Sequence, residues 1–142
     1  MAYAINKVDV WVGEIEDRPG GLAEKLAALT KAGANIEFLV SRRAPEKPGT
    51  GVVFLTPIKG AAQKRVANEA GLNTTDSLHS LRVEGPDQAG LGVKMTRALA
   101  DAGVNLRGVS AAALGRRSVT YFAFDTAADA GKASQILRKA LR

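Results

Sequence analysis

The 142-residue sequence has no cysteine, which removes disulfides, thiolate metal sites and a cysteine nucleophile together. Histidine occurs once, and His79 falls in a strand pattern beside Leu81 and Val83 without a visible catalytic partner, so a structural role is expected. No stretch approaches the roughly 20 apolar residues of a membrane span. Residues 1–7 lack the charged segment and apolar run of an export signal. The expectation is a cytoplasmic chain with no membrane partner. Long blocks of one charge are also missing. The net charge of +6 permits polyanion binding. The basic residues, however, adjoin only as Arg42-Arg43, Lys64-Arg65, Arg116-Arg117 and Arg138-Lys139, which is no nucleic-acid arm. Gly108-Val109-Ser110-Ala111-Ala112 falls short of a Gly-x-Ser-x-Gly nucleophile elbow, and there is no Gly-Lys-Ser/Thr phosphate loop. Acidic residues are scattered rather than grouped as oxygen ligands. No catalysis, cofactor or metal is therefore expected.

What is present is an ordinary globular composition, 46% hydrophobic and 24% charged, arranged as a repeat. Shifted by 70 residues without a gap, Asp17 meets Asp87, Gly20 meets Gly90, Ala28-Leu29 meets Ala98-Leu99, Ala32-Gly33 meets Ala102-Gly103 and Asn35 meets Asn105. Ahead of the first loop, valines alternate through Lys7-Val8-Asp9-Val10-Trp11-Val12, a strand with one buried face. His79, Leu81 and Val83 repeat the pattern. The period then becomes helical at Leu22, Leu26 and Leu29, and again at Leu91, Met95, Leu99 and Ala102. Gly33 and Gly103 stand where a left-handed C-terminal cap belongs.

Ile36, Phe38 and Val40 start the next strand, with Leu106, Gly108 and Ser110 as a weaker counterpart. Hairpins return the chain to residues 52–55 and 119–124, and helices follow at about 61–70 and 127–141. This is an α+β fold of two ferredoxin-like βαββαβ units, each an antiparallel sheet with its helices on one face. The expected division is 1–76 and 77–142. Residues 72–76 offer the first unit a closing strand, and the second shows none. Its open edge would need cover from another strand or subunit, so a homodimer is expected.

The suggestive segment is Asp17-Arg18-Pro19-Gly20-Gly21-Leu22, repeated as Asp87-Gln88-Ala89-Gly90-Leu91. Glycine lets backbone approach a ligand, and the N–H groups that open a helix attract an anion. The same residues also suit a plain strand-to-helix turn capped by Asp. The Asp-x-Pro-Gly-x-Leu loop, the Ala-Gly-x-Asn-Ile helix ending and the element order together resemble an ACT domain. Two copies resemble the stand-alone tandem ACT proteins of the glycine-cleavage repressor type.

The resemblance implies a non-catalytic regulator that binds a small molecule, an amino acid, where two units meet, and that acts on an enzyme or a transcription factor. Carried over by position, the ligand-binding residues would be Asp17, Arg18, Pro19, Gly20, Gly21 and Leu22 with Asn35 and Ile36. In the second copy they would be Asp87, Gln88, Ala89, Gly90 and Leu91 with Asn105 and Leu106. An Asn side chain suits a zwitterion, offering a donor to the carboxylate and an acceptor to the ammonium, and equally suits a local turn. Ala89 stands at the family's proline, a departure that leads to the expectation of one silent copy. Two other readings stay open. One is an RNA-binding ferredoxin-like module, invited by the run from Arg116 to Phe124 but short of exposed aromatics. The other is a dimerisation adaptor without a ligand.

Overall fold

A computed structural model describes residues 2–142. The elements run β1 (Ala4–Val8), β2 (Trp11–Glu16), α1 (Gly21–Lys31), β3 (Phe38–Arg43), β4 (Thr50–Thr56), α2 (Gly60–Glu69), β5 (His79–Pro86), α3 (Leu91–Asp101), β6 (Gly108–Leu114), β7 (Arg117–Phe124) and α4 (Ala127–Ala140). They form two compact units. One is Asp9–Thr75, and the other combines the residues up to Val8 with Asp76–Arg142. Each is an antiparallel sheet with its two helices on one face. Among the described residues no helix is long and apolar enough to cross a membrane.

In the unit Asp9–Thr75 the strand order is β2-β4-β3, with all pairs antiparallel. The expected closing strand at residues 72–76 shrinks to one bridge, Val12 with Asn73, held by reciprocal backbone hydrogen bonds of 2.9 Å. The core gathers Trp11, Leu29, Val53, Leu55, Ile58, Ala67 and Leu72, with Leu22, Leu26 and Ile36 packed against it. The strand read at residues 7–12 therefore needs correcting. It is two strands parted at Asp9 and Val10, and the inward residues of β2 are Trp11 and Ile15 rather than the valines. Sliding a strand by one residue exchanges its faces. The true offset of 70 sets Trp11 against Leu81 and Gly13 against Val83. Gly13 interrupts the apolar alternation because Leu72 takes its side-chain space, with Leu72 Cδ2 only 2.6 Å from where a Cβ would stand.

In the other unit the order is β1-β5-β7-β6. The expectation that its closing strand is missing is overturned: β1 lies antiparallel along β5, from Ala4 opposite Glu84 to Val8 opposite Ser80. Residues 2–8 thus belong with residues 76–142, and not with the first unit as the 1–76 division had it. The reason is the pairing requirement itself. The free edge of β5 needs backbone partners, and the alternation of Tyr3 and Ile5 with polar neighbours supplies a strand with one apolar face. Both residues are buried beside Leu81, Val83, Leu91, Met95, Leu99, Phe122 and Phe124. From α4, Arg138 donates a 2.8 Å hydrogen bond to the carbonyl of Ile5.

The helix ends follow the glycines. Gly33 and Gly103 adopt left-handed φ values of 88° and 75° one residue beyond the C-caps of α1 and α3. Replacing Ile5 with Ala should cost about 2–5 kcal/mol, the usual range for truncating a buried aliphatic side chain, by urea unfolding. Replacing the exposed Asn6 with Ala should change stability by less than about 0.5 kcal/mol.

Candidate functional site

The two strand-to-helix loops share one scaffold. The backbone N–H of Asp17 donates to Gly49 O at 3.1 Å and that of Asp87 to Arg116 O at 2.8 Å, so each loop hangs from the tip of its own unit's hairpin. Gly20 and Gly90 then cap α1 and α3 with left-handed φ values of 87° and 83°, and no side chain caps either helix. Asp17 is therefore not the cap that a plain turn would use. Its carboxylate accepts a 2.7 Å hydrogen bond from Arg43 Nε instead. A Cβ built on Gly21 would stand 2.2 Å from the carbonyl oxygen of Glu16, so a larger residue there would have to shift the loop backbone.

On this scaffold the loops differ in chemistry. In the first, Arg18 donates to Glu16 through Nε and to Glu24 Oε2 through Nη2 at 2.7 Å, and its Nη1 reaches Pro19 O at 3.2 Å. The hydrogen bond from Arg18, and then its charge, hold the Glu16 carboxyl below the usual carboxylate range, while the two carboxylates raise the Arg18 guanidinium further. Beside this cluster opens a depression of about 410 Å³ lined by Glu14, Glu16, Arg18, Gly21, Glu24, Lys25 and Ala70, with Ile15. Lys25 donates to Ala70 O, tying the middle of α1 to the end of α2. A shallower depression of about 260 Å³ lies on the other side of the loop, between Asp17, Arg18, Leu22 and Ser41, Arg42, Arg43.

In the second loop the charges of Glu16, Arg18 and Lys25 have no counterpart. At the 70-residue offset Glu16 is answered by Pro86, Arg18 by Gln88, Gly21 by Leu91 and Lys25 by Met95. Gln88 Nε2 donates at 2.7 Å to the hydroxyl of Tyr3, which donates at 2.8 Å to Pro86 O. Leu91 is buried in the core.

The structure brings Asp17, Arg18, Gly21 and Leu22 to the depressions of the first unit, with Pro19 and Gly20 shaping the turn between them. Asp87, Gln88, Ala89 and Gly90 form the matching turn. Asn35 and Asn105 are exposed beyond the helix ends, and neither lines a depression described above. Ile36 and Leu106 pack against the two cores.

Glu14, Glu16, Glu24, Lys25 and Arg43 escaped the sequence reading, as did Tyr3. The signal that could have found most of them lies in the repeat itself, where matched positions disagree in charge rather than where they agree. Phe122 and Phe124, the sheet aromatics of the RNA-binding comparison, are buried with ring centroids 6.2 Å apart and cannot stack on bases. Among the described residues no group of three or more His, Asp or Glu is placed to hold a metal ion.

No protein-family model matches the chain, and neither does any curated protein. Solved structures do share its fold. Protein BT0572 from Bacteroides thetaiotaomicron superposes with a TM-score of 0.76 at 15% identity, over 98% of this chain and 90% of the other. The ligand-free regulatory subunit of aspartate kinase from Thermus thermophilus gives 0.67 at 15% identity, over 100% and 98%. That from Thermus flavus gives 0.60 at 20% identity, over 100% and 98%. The likeness is one of fold.

Replacing Arg18 with Ala should return the Glu16 carboxyl to its ordinary range, measured as an upward shift of its titration midpoint by carboxyl-carbon NMR. A carboxyl held low in the folded state adds stability above its unfolded pKa and loses it as pH falls through the depressed value. R18A should accordingly melt lower than the wild type above the unfolded carboxyl range, with an acid-side decline that is shallower, so that the gap between the two proteins closes as pH falls. Gly21→Ala should destabilise by about 1–3 kcal/mol, as overpacking against fixed backbone does, in chemical denaturation.

Proposed function

We propose that the protein is a non-catalytic regulator that binds a small molecule, an amino acid, at the strand-to-helix loop of the unit Asp9–Thr75. One observation carries this reading. Of two loops built on the same scaffold, that at residues 17–22 borders an open, charge-lined depression, while that at residues 87–91 is occupied by the chain's own Tyr3. The depression presents both signs, carboxylates from Glu14, Glu16 and Glu24 and cations from Arg18 and Lys25. A zwitterion needs such a mixture: the guanidinium of Arg18 can exchange a protein carboxylate for the ligand's, and the freed Glu16 or Glu24 can accept from the ligand's ammonium. The fold agrees, since solved structures that share it include regulatory subunits of aspartate kinase.

The regulated partner in this reading is an enzyme or a transcription factor. Self-association is also part of it, but the edge of β5 no longer supplies the reason. The far edge of that sheet is β6, whose exposed Val109 and Leu114 suit a second copy.

Thermal melting against the twenty amino acids tests the ligand. A binder at 100 times its dissociation constant stabilises by about 2.7 kcal/mol, a shift of several degrees for a chain of this size. Arg18→Ala should abolish that shift while the protein stays folded. No shift with any amino acid would count against the reading, and a shift that survives R18A would move the site elsewhere.

A further inference from the structure

The occupied loop is informative in its own right. Tyr3 precedes β1, and its register continues that of Ala4 opposite Glu84, so it lies opposite Gly85. A Cβ on Gly85 would collide with the Tyr3 ring, whose Cδ1, Cε1 and Cγ are the three nearest atoms. The ring therefore sits flat on a position that has no side chain to hold it off. Its hydroxyl is satisfied on both sides: it donates to Pro86 O at 2.8 Å and accepts from Gln88 Nε2 at 2.7 Å. The residue is only 5% exposed and shares its core cluster with Leu91 and Met95 from the first turns of α3. An apolar floor, a glycine that admits a ring, one acceptor and one donor placed for a single hydroxyl together describe a receptor for a phenol.

We infer that the loop at residues 85–91 is a phenol-binding site, filled in cis by Tyr3, and that removing the Tyr3 side chain opens it to a small free phenol. The match between the copies supports this. The Tyr3 contacts Gly85, Pro86 and Gln88 answer, at the offset of 70, to Ile15, Glu16 and Arg18, which border the open depression of the first unit. The same scaffold thus holds a charged, open site in one copy and an apolar site with a tethered occupant in the other. Tethering keeps free phenols out while Tyr3 is present, since a group on a short tether competes at an effective concentration in the millimolar range.

The test uses the full chain and p-cresol, the side chain of tyrosine as a free molecule. Tyr3→Ala should lower the melting temperature, and p-cresol should raise it again while leaving the wild type unmoved, as a benzene-sized ligand fills an engineered apolar cavity. Because two hydrogen bonds await the hydroxyl, p-cresol should bind Y3A about tenfold or more tightly than toluene. Failure of p-cresol to stabilise Y3A, or toluene binding equally well, would overturn the inference.

A second arm does not depend on Y3A folding. Nitration by tetranitromethane, mapped by peptide mass, should spare Tyr3 in the wild type and reach it in Gly85→Ala, where the new Cβ displaces the ring. Nitration of Tyr3 at the same rate in both proteins would also overturn the inference. Neither arm involves Arg18 or the first depression, so failure here leaves the proposed function standing.

Discussion

A strand at a sheet edge leaves a row of backbone donors and acceptors to be matched, and in this chain the row along β5 is matched by β1. Everything between those strands, the whole of Asp9–Thr75, is inserted within the other unit's sequence. Closing so long a separation costs entropy, though the cost rises only with the logarithm of length. Burial of Tyr3 and Ile5, together with the Arg138 bond to the Ile5 carbonyl, offsets it. The pairing also carries Tyr3 to Gly85, so the step that completes the sheet is the same step that occupies the second loop.

That coupling accounts for the divergence of the two copies. Both keep what the turn needs: an Asp whose N–H ties the loop to the hairpin tip, and a left-handed glycine that opens the helix. They differ in what the turn borders. Where the closing segment is reduced to the single bridge at Asn73, the surface beyond it stays open and carries Glu16, Arg18, Glu24 and Lys25. Where a full strand arrives, the matched positions are Pro86, Gln88, Lys94 and Met95, and the Tyr3 ring lies against Gly85 with its hydroxyl bonded to Pro86 and Gln88. Exposed ion pairs such as those of Arg18 contribute little to stability, so the charge gathered beside the open depression is not what holds this unit together.

Much of the architecture was legible in the chain. Local patterns sufficed for the repeat, the four helices, the hairpins and the glycine caps at Gly33 and Gly103, because helix period, turn chemistry and left-handed glycines act within a few residues. The face of β2 was misread because Gly13 hides an inward position behind Leu72, and that substitution of one residue's bulk for another's is visible only once they meet. Among the site residues, the loop stood out through its repetition. Glu24, Lys25 and Arg43 did not, since what qualifies them is their distance to Arg18, Ala70 and Asp17.

By itself the sequence determined that two βαββα units follow one another, where their helices begin and end, and which turns they share, all consequences of short-range backbone preference and periodic burial. Only the tertiary structure decided that residues 4–8 close the sheet of the second unit, and with it which loop stays open. The physical reason is that strand pairing is a contact between distant segments. Its partner is selected by whichever edge lacks hydrogen bonds and whichever apolar face fits, and neither is written beside the strand that answers them.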